Sequence, residues 1–356
     1  MKFIYTLFFV LFSLNANSGL FIKKNDIDAC SKYVNLQRQG WYTQRNVPTL
    51  DQGPVGLCYS HAAVTLLDMW RDTHGLKITK NIALSNPQYA ALLFKMEYEK
   101  GERSTLDAGG GANTLKAIKK YGMCRDDVIQ LAMDEFSMNN KISTRDWYAV
   151  TQWFLEFYSL KIQREIDKAP DKAKKLKEIF SRYTDRDDVK IIYEHGDFNK
   201  IYEGLKPYLL KRDYKGYAKN VFRECFKKEN IYLGTLHLPD VYSEPNPQKF
   251  IPTIISNLDR KNPVGISYAH QILKEGSGLF KKIKYFWYDS DHQGVLIGKR
   301  VRAEKCQFLL KNTWGNYCKY AWECQKSPNG GEVGAWIDAD YLLPSLRTLY
   351  FFDMSK

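Results

Sequence analysis

Three short stretches of this 356-residue chain hold side chains suited to nucleophilic chemistry. The first is Gln52-Gly53-Pro54-Val55-Gly56-Leu57-Cys58-Tyr59. Cys58 opens CYSHAAVTLLDMWR, whose Ala, Leu and Met spacing predicts a helix from Cys58 to Arg71. A helix N-terminus carries partial positive charge and unsatisfied N–H groups, and both favour a thiolate. The thiolate is the attacking form of cysteine, so this placement suits a covalent catalyst. A buried structural cysteine fits the same position equally well, and Cys58 alone does not separate the two.

The second stretch, Asp289 to Gly298, puts His292 at the edge of the apolar run Gly294-Val295-Leu296-Ile297-Gly298. The third, Leu309-Leu310-Lys311-Asn312-Thr313-Trp314-Gly315-Asn316, puts Asn312 at the end of a strand. Alone, His292 reads more readily as a core or turn histidine, and Asn312 fits a turn. A fourth piece is the loop Gly109-Gly110-Gly111, where missing side chains let backbone approach a ligand closely.

The elements that must position these residues differ along the chain. Residues 46–124 carry turn and helix signals. Leu84-Ser85-Asn86-Pro87 caps a helix running to about Glu97, and Asn113 to Tyr121 is a helix stopped by Gly122. In residues 125–235, charges alternate with apolar residues at helical spacing. Trp147 to Ile166, Lys172 to Arg182 and Phe198 to Leu205 read as amphipathic helices. Residues 236–356 begin with a helix from Asn246-Pro247 to about Arg260. Strands are then predicted at Pro263 to Ala269, Lys284 to Trp287, Gly294 to Gly298 and Gln307 to Lys311. Mixed helices and strands in separate runs make the class α+β.

The start of the chain addresses compartment. Lys2, the apolar run Phe3 to Leu14 and the small residues Ala16 and Ser18 form the pattern of a secretory signal peptide over residues 1–18. The run is shorter than the roughly 20 residues of a membrane span, and no later run reaches that length. The expectation is an exported protein, periplasmic, extracellular or lumenal, with no stable membrane anchor. In that compartment cysteines can pair. Setting Cys58 aside leaves six others, an even set compatible with three bridges, Cys318 and Cys324 being near in sequence.

Aromatic residues are 14% of the chain, enough for a sizeable core, which excludes global disorder. The formal net charge is +13, yet the 125–235 stretch is nearly neutral, so the excess is spread along the chain. The clusters Lys281-Lys282-Ile283-Lys284 and Lys299-Arg300-Val301-Arg302 read as a solvated edge, or a bias toward acidic substrates, rather than a nucleic-acid site. No nucleic-acid partner, metal or cofactor is expected, and oligomeric state is not readable.

In the order Cys, His, Asn, these motifs resemble the papain-like cysteine peptidase family. The carrying features are a Gln six residues before Cys58, a Gly two before it, an aromatic after it, Asp291-His292 leading a Gly-Val-Leu-Ile strand, and Lys311-Asn312-Thr313-Trp314-Gly315. The resemblance spans roughly 46–124 and 236–320. It implies a two-lobed fold with a helical lobe (46–124), a β-rich, barrel-like lobe (236–356) and a cleft between them. It implies peptide-bond hydrolysis through an acyl-enzyme on a protein or peptide substrate. Cys58 would be the nucleophile, His292 the acid and base, Asn312 the group that orients His292, and Trp314 their shield from water. Gln52 would stabilise the oxyanion. Gly109 and Gly110 would pair with substrate backbone, their register against Gly111 open by one residue.

Some features depart from the family. Val55 stands where a disulfide cysteine is usual, Leu57 precedes the nucleophile, and Ser60-His61 follow Tyr59. His61 is expected to be a packing residue. Cys58 and His292 are 234 residues apart, against roughly 130–150 in the family. The surplus coincides with 125–235, read as a helical insertion, and only a short segment, 19–45, precedes the first lobe. A catalytically inactive papain-fold binding protein and a related acyl transferase are the alternatives. The intact Cys58, His292 and Gln52 argue against the first, and Asn312 in place of an Asp against the second.

Overall fold

Strand-forming sequence dominates the end of the chain: the buried run Val295-Leu296-Ile297 and its partner Phe308-Leu309-Leu310 are apolar on both faces. Such runs are stable only as central strands covered on two sides. The structure, a computed structural model, describes residues 24–39, 50, 52, 57–74, 85–98, 109–125, 127–129, 131–132, 160–181, 214–233, 238–277, 292–314, 321–326 and 332–354. The signal-peptide segment, residues 147–159 of the helix expected from Trp147 to Ile166, the helix expected at Phe198–Leu205, the strand expected at Lys284–Trp287, the Lys281–Lys284 cluster and Cys318 lie outside them.

In chain order the elements are α1 (Lys24–Cys30), β1 (Val34–Asn35), α2 (Leu36–Gln39), α3 (Cys58–Thr73), α4 (Pro87–Tyr98), α5 (Gly111–Tyr121), β2 (Met123–Cys124), α6 (Leu160–Lys168), α7 (Lys172–Ser181), α8 (Tyr214–Val221) and β3 (Ile231–Leu233). They continue as β4 (Val241–Glu244), α9 (Phe250–Asp259), β5 (Val264–Tyr268), α10 (Gln271–Glu275), β6 (His292–Arg302), β7 (Lys305–Lys311), β8 (Glu323–Lys326), β9 (Glu332–Asp338), α11 (Ala339–Ser345) and β10 (Leu346–Phe352). The class is α+β, with helices beside a mostly antiparallel sheet. Among the described residues no helix is long and apolar enough to cross a membrane.

Two compact units divide the chain. One comprises Met1–Gly53, His61–Lys77 and Pro239–Lys356; the other comprises Pro54–Ser60 and Ile78–Leu238. The first unit is built on one sheet of order β4-β10-β5-β6-β7-β9-β8, with β1 pairing β6 beyond the end of β5. β6 and β7 join through Ala303 and Glu304, at φ +49° and +58°. Arg302 pairs with Lys305 across that two-residue turn, the backbone of a type I′ hairpin. Neither residue belongs to the usual Asn-Gly set, so this hairpin has no sequence signal.

The short N-terminal segment is part of the same unit. The Cys30–Cys306 disulfide, the β1–β6 pairing and a bond from Lys299 Nζ to Ala29 O (2.6 Å) fasten it to the sheet. Lys299 is fully buried and pairs with Asp259 at 3.1 Å. Arg300 pairs with Glu323 at 2.5 Å, and Arg302 also contacts Glu323. The expected solvated edge is therefore corrected at Lys299, where α1 and α9 pack on β6 and supply the Ala29 carbonyl and Asp259 to its amine.

The second unit is helical. α4 packs on α5 and on α8. Pro87 opens α4, and Asn86 Oδ1 accepts from the N–H groups of Gln88 (3.0 Å) and Tyr89 (2.9 Å), the capping read from sequence. The Cys124–Cys225 disulfide and the antiparallel pairing of β2 with β3 tie the two ends of the 125–235 stretch together. Cys324 is also disulfide-bonded, and Cys58 remains a thiol.

Candidate active site

His292 is the first residue of β6. Five pairs join β6 to β5, ending with Tyr268 opposite His292. On the other side Val295 faces Lys311, so Asn312, one residue past β7, comes level with the start of β6. Gly294 permits this approach: a Cβ there would stand 2.9 Å from the Leu310 side chain and 3.1 Å from the Lys311 carbonyl oxygen.

The result is a buried pair. His292 Nε2 lies 2.6 Å from Asn312 Oδ1, with the two residues each 4% exposed. An amide oxygen only accepts, so Nε2 carries the proton and Nδ1 is the nitrogen left to do chemistry. The Trp314 ring packs tilted against the His292 ring, with centroids 4.6 Å apart. His270 stands edge-on to the same indole at 5.8 Å, and Lys274 Nζ lies 5.6 Å from its centroid.

Gln52 is held in the same unit through Thr313. Its N–H donates to the Thr313 carbonyl at 2.9 Å, and the Thr313 hydroxyl donates to Gln52 Oε1. With the oxygen end of the amide so engaged, the Nε2 donors occupy the opposite end. Gln52 is 7% exposed, which suits a donor that acts in a low-dielectric site.

The residue before Asn312 is a buried amine. Lys311 is 2% exposed, and its Nζ donates to Gln37 Oε1 at 3.4 Å. Burial pushes its pKa down from 10.5 to about 8.

In the second unit, Cys58 is the first residue of α3 and is half-buried. Leu57 O accepts from both the N–H and the hydroxyl of Ser60 (3.1 and 3.0 Å), which secures the first turn. Tyr59 is fully buried, its ring 5.2 Å from Phe94 and 5.9 Å from Lys95 Nζ. Gly109 lies flat on that ring; a Cβ there would stand 2.6 Å from the ring carbons. Gly110 is extended (φ −108°, ψ 125°) and caps α5, whose first residue is Gly111. Gly109 and Gly110 thus precede the helix, with an extended backbone at Gly110.

One cluster therefore contains His292, Asn312, Trp314 and Gln52, and another contains Cys58, Gly109 and Gly110. Sequence reasoning missed Thr313 as the partner of Gln52, although it sits inside the Asn312 motif. It also missed Tyr268, for which no local signal exists. His61 is buried at 5% exposure. Among the described residues no group of three or more His, Cys, Asp or Glu could hold a metal ion.

No protein-family model and no curated protein sequence matches the chain. Among solved structures, xylellain, a cysteine protease from Xylella fastidiosa, is similar at 12% identity and a TM-score of 0.47, over 94% of this chain and 91% of that one. A structure of SERA5E from Plasmodium falciparum is similar at 13% identity and a TM-score of 0.43, over 93% of this chain and 96% of that one. A second SERA5E structure gives 13% identity and a TM-score of 0.41, with 90% and 95% covered.

Proposed function

We propose that the chain is an exported papain-like cysteine peptidase. The observation that carries this reading is the buried 2.6 Å contact of His292 Nε2 with Asn312 Oδ1, with the Trp314 ring packed against His292, at residues named by sequence motif alone. A histidine held in this tautomer by a single-acceptor partner suits a general acid and base.

The chemistry follows from the parts. The Cys58 thiolate attacks the carbonyl carbon of a peptide bond, and the carbonyl oxygen takes the negative charge. Gln52 Nε2 and the Cys58 N–H donate to that oxygen. The imidazolium of His292 passes a proton to the amine, the C–N bond breaks, and a thioester remains on Cys58. Water then attacks the thioester, with His292 as base, and the thiol is released. Gly109 and Gly110 hold the substrate's extended backbone beside the bond. The two fastened disulfides and the apolar, small-residue start of the chain support an oxidising compartment. Residues 125–235 act as an insertion that restrains access for large substrates.

Labelling with a thiol-reactive peptidyl epoxide tests the reading. Wild type should be labelled at Cys58, with labelling lost in Cys58→Ala and His292→Ala. Equal labelling of all three, or none of folded wild type, sinks it.

A further inference from the structure

Tyr268 is 0% exposed and lies on β5 directly opposite His292. Its ring meets the imidazole edge-on, with centroids 5.5 Å apart. Its hydroxyl donates to Asn312 Oδ1 at 3.2 Å, the same oxygen that lies 2.6 Å from His292 Nε2.

We propose that Tyr268 is a positioning residue that holds the Asn312 oxygen toward His292. The terminal torsion of an asparagine is soft, and its amide is nearly symmetric in shape. A flip would turn Nδ2–H against the Nε2–H of a protonated His292. One imidazole bond resists that flip; two donors converging on one oxygen, which has two lone pairs, resist it better. Burial raises the stakes, because a mismatched polar group there has no water to turn to. Tyr268 thereby keeps the proton on Nε2 and Nδ1 available, without touching substrate itself. The kinetic consequence rests on the peptidase reading above; the proton-exchange consequence rests on the geometry alone.

The experiment uses the full chain with ¹⁵N-labelled histidine, the His292 signal being the one absent from His292→Ala. In Tyr268→Phe, exchange of the Nε2 proton with solvent should accelerate about tenfold, the equivalent of one ordinary hydrogen bond. A second tautomer should appear in the ring nitrogen shifts. The acylation rate should fall about tenfold, while peptide affinity in a Cys58→Ala background stays unchanged. Unchanged exchange and a single tautomer in folded Tyr268→Phe overturn the role. In wild type, the Tyr268 hydroxyl proton should be slow to exchange and show a cross-relaxation peak to the His292 Nε2 proton. Absence of that peak overturns the role whether or not the variant folds. Faster exchange in a chain without peptidase activity keeps the positioning role and removes the peptidase reading. Normal activity with unchanged exchange does the reverse.

Discussion

His292 owes its place to strand register, whereas Cys58 owes its place to the end of a helix. Around His292, the cluster draws on three strands: Tyr268 on β5, His292 on β6, and Asn312 just past β7. A slip of one residue in either pairing would carry His292 to the opposite face. Around Cys58 the determinants are local. Leu57 and Ser60 close the first turn, and Tyr59 packs on Phe94 and Gly109. A register-built cluster is rigid but non-local, so its residues should be strongly coupled. A helix-end cluster is readable from neighbours, and its residues should act more independently.

Removing either reactive group asks the hardest question of that contrast. Cys58→Ala and His292→Ala should each lower kcat/KM on a peptide substrate by a factor on the order of 10⁵, with the double variant no worse than either. A loss of only a few-fold in one of them would count against the proposed Cys58 and His292 chemistry.

Gln52→Ala should lower kcat by about 10² to 10³, as for loss of one oxyanion donor. Thr313→Val should follow it with about a tenfold loss, because the hydroxyl that fixes the Gln52 amide is gone. If the two substitutions add when combined, Thr313 does not act through Gln52.

Lys311 sharpens the sheet side. Its folded pKa of about 8 lies below the ordinary 10.5. Between about pH 8 and 10.5 the unfolded chain therefore binds a proton that the folded chain does not, and stability rises with pH across that window. Below pH 8 both states are protonated and the full penalty is present. Lys311→Met should stabilise the protein by roughly 1–3 kcal/mol at pH 7 and flatten the rise, as measured by denaturant unfolding. A destabilised variant would mean that the bond to Gln37 outweighs burial.

The smallest effect separates two neighbouring glycines of the helical unit. Gly109→Ala drives a methyl into the Tyr59 ring and should cost about 1–3 kcal/mol. At Gly110 the nearest atoms stand 3.8 Å or more from a built Cβ, so Gly110→Ala should stay within about 0.5 kcal/mol. Thermal unfolding compares them; equal effects would deny the close packing of Gly109 on Tyr59.

Much of the helical architecture was legible because helix ends carry their own chemistry. Asn86-Pro87 marked the start of α4, Gly122 the end of α5, and Cys58 the start of α3. The β6–β7 hairpin was half visible: its apolar centres were read, but its outer halves were taken for a basic surface. Ala303-Glu304 gives no turn signal, and the Lys299 side chain is met by Ala29 of α1 and Asp259 of α9, both distant in sequence. The cysteine count allowed three bridges but gave no sign that Cys30 pairs with Cys306, since the two are 276 residues apart.

The amino-acid sequence by itself determined which residues could do chemistry and where helices begin and stop. Residue type and helix polarity act over a few positions and leave a local trace. Only the tertiary structure decided that Asn312 Oδ1 receives both His292 and Tyr268, that Thr313 turns the Gln52 amide, and that Lys311 is buried. The first depends on strand register between distant segments, and the other two on Gln52 and Gln37 meeting the end of β7 from far away in sequence.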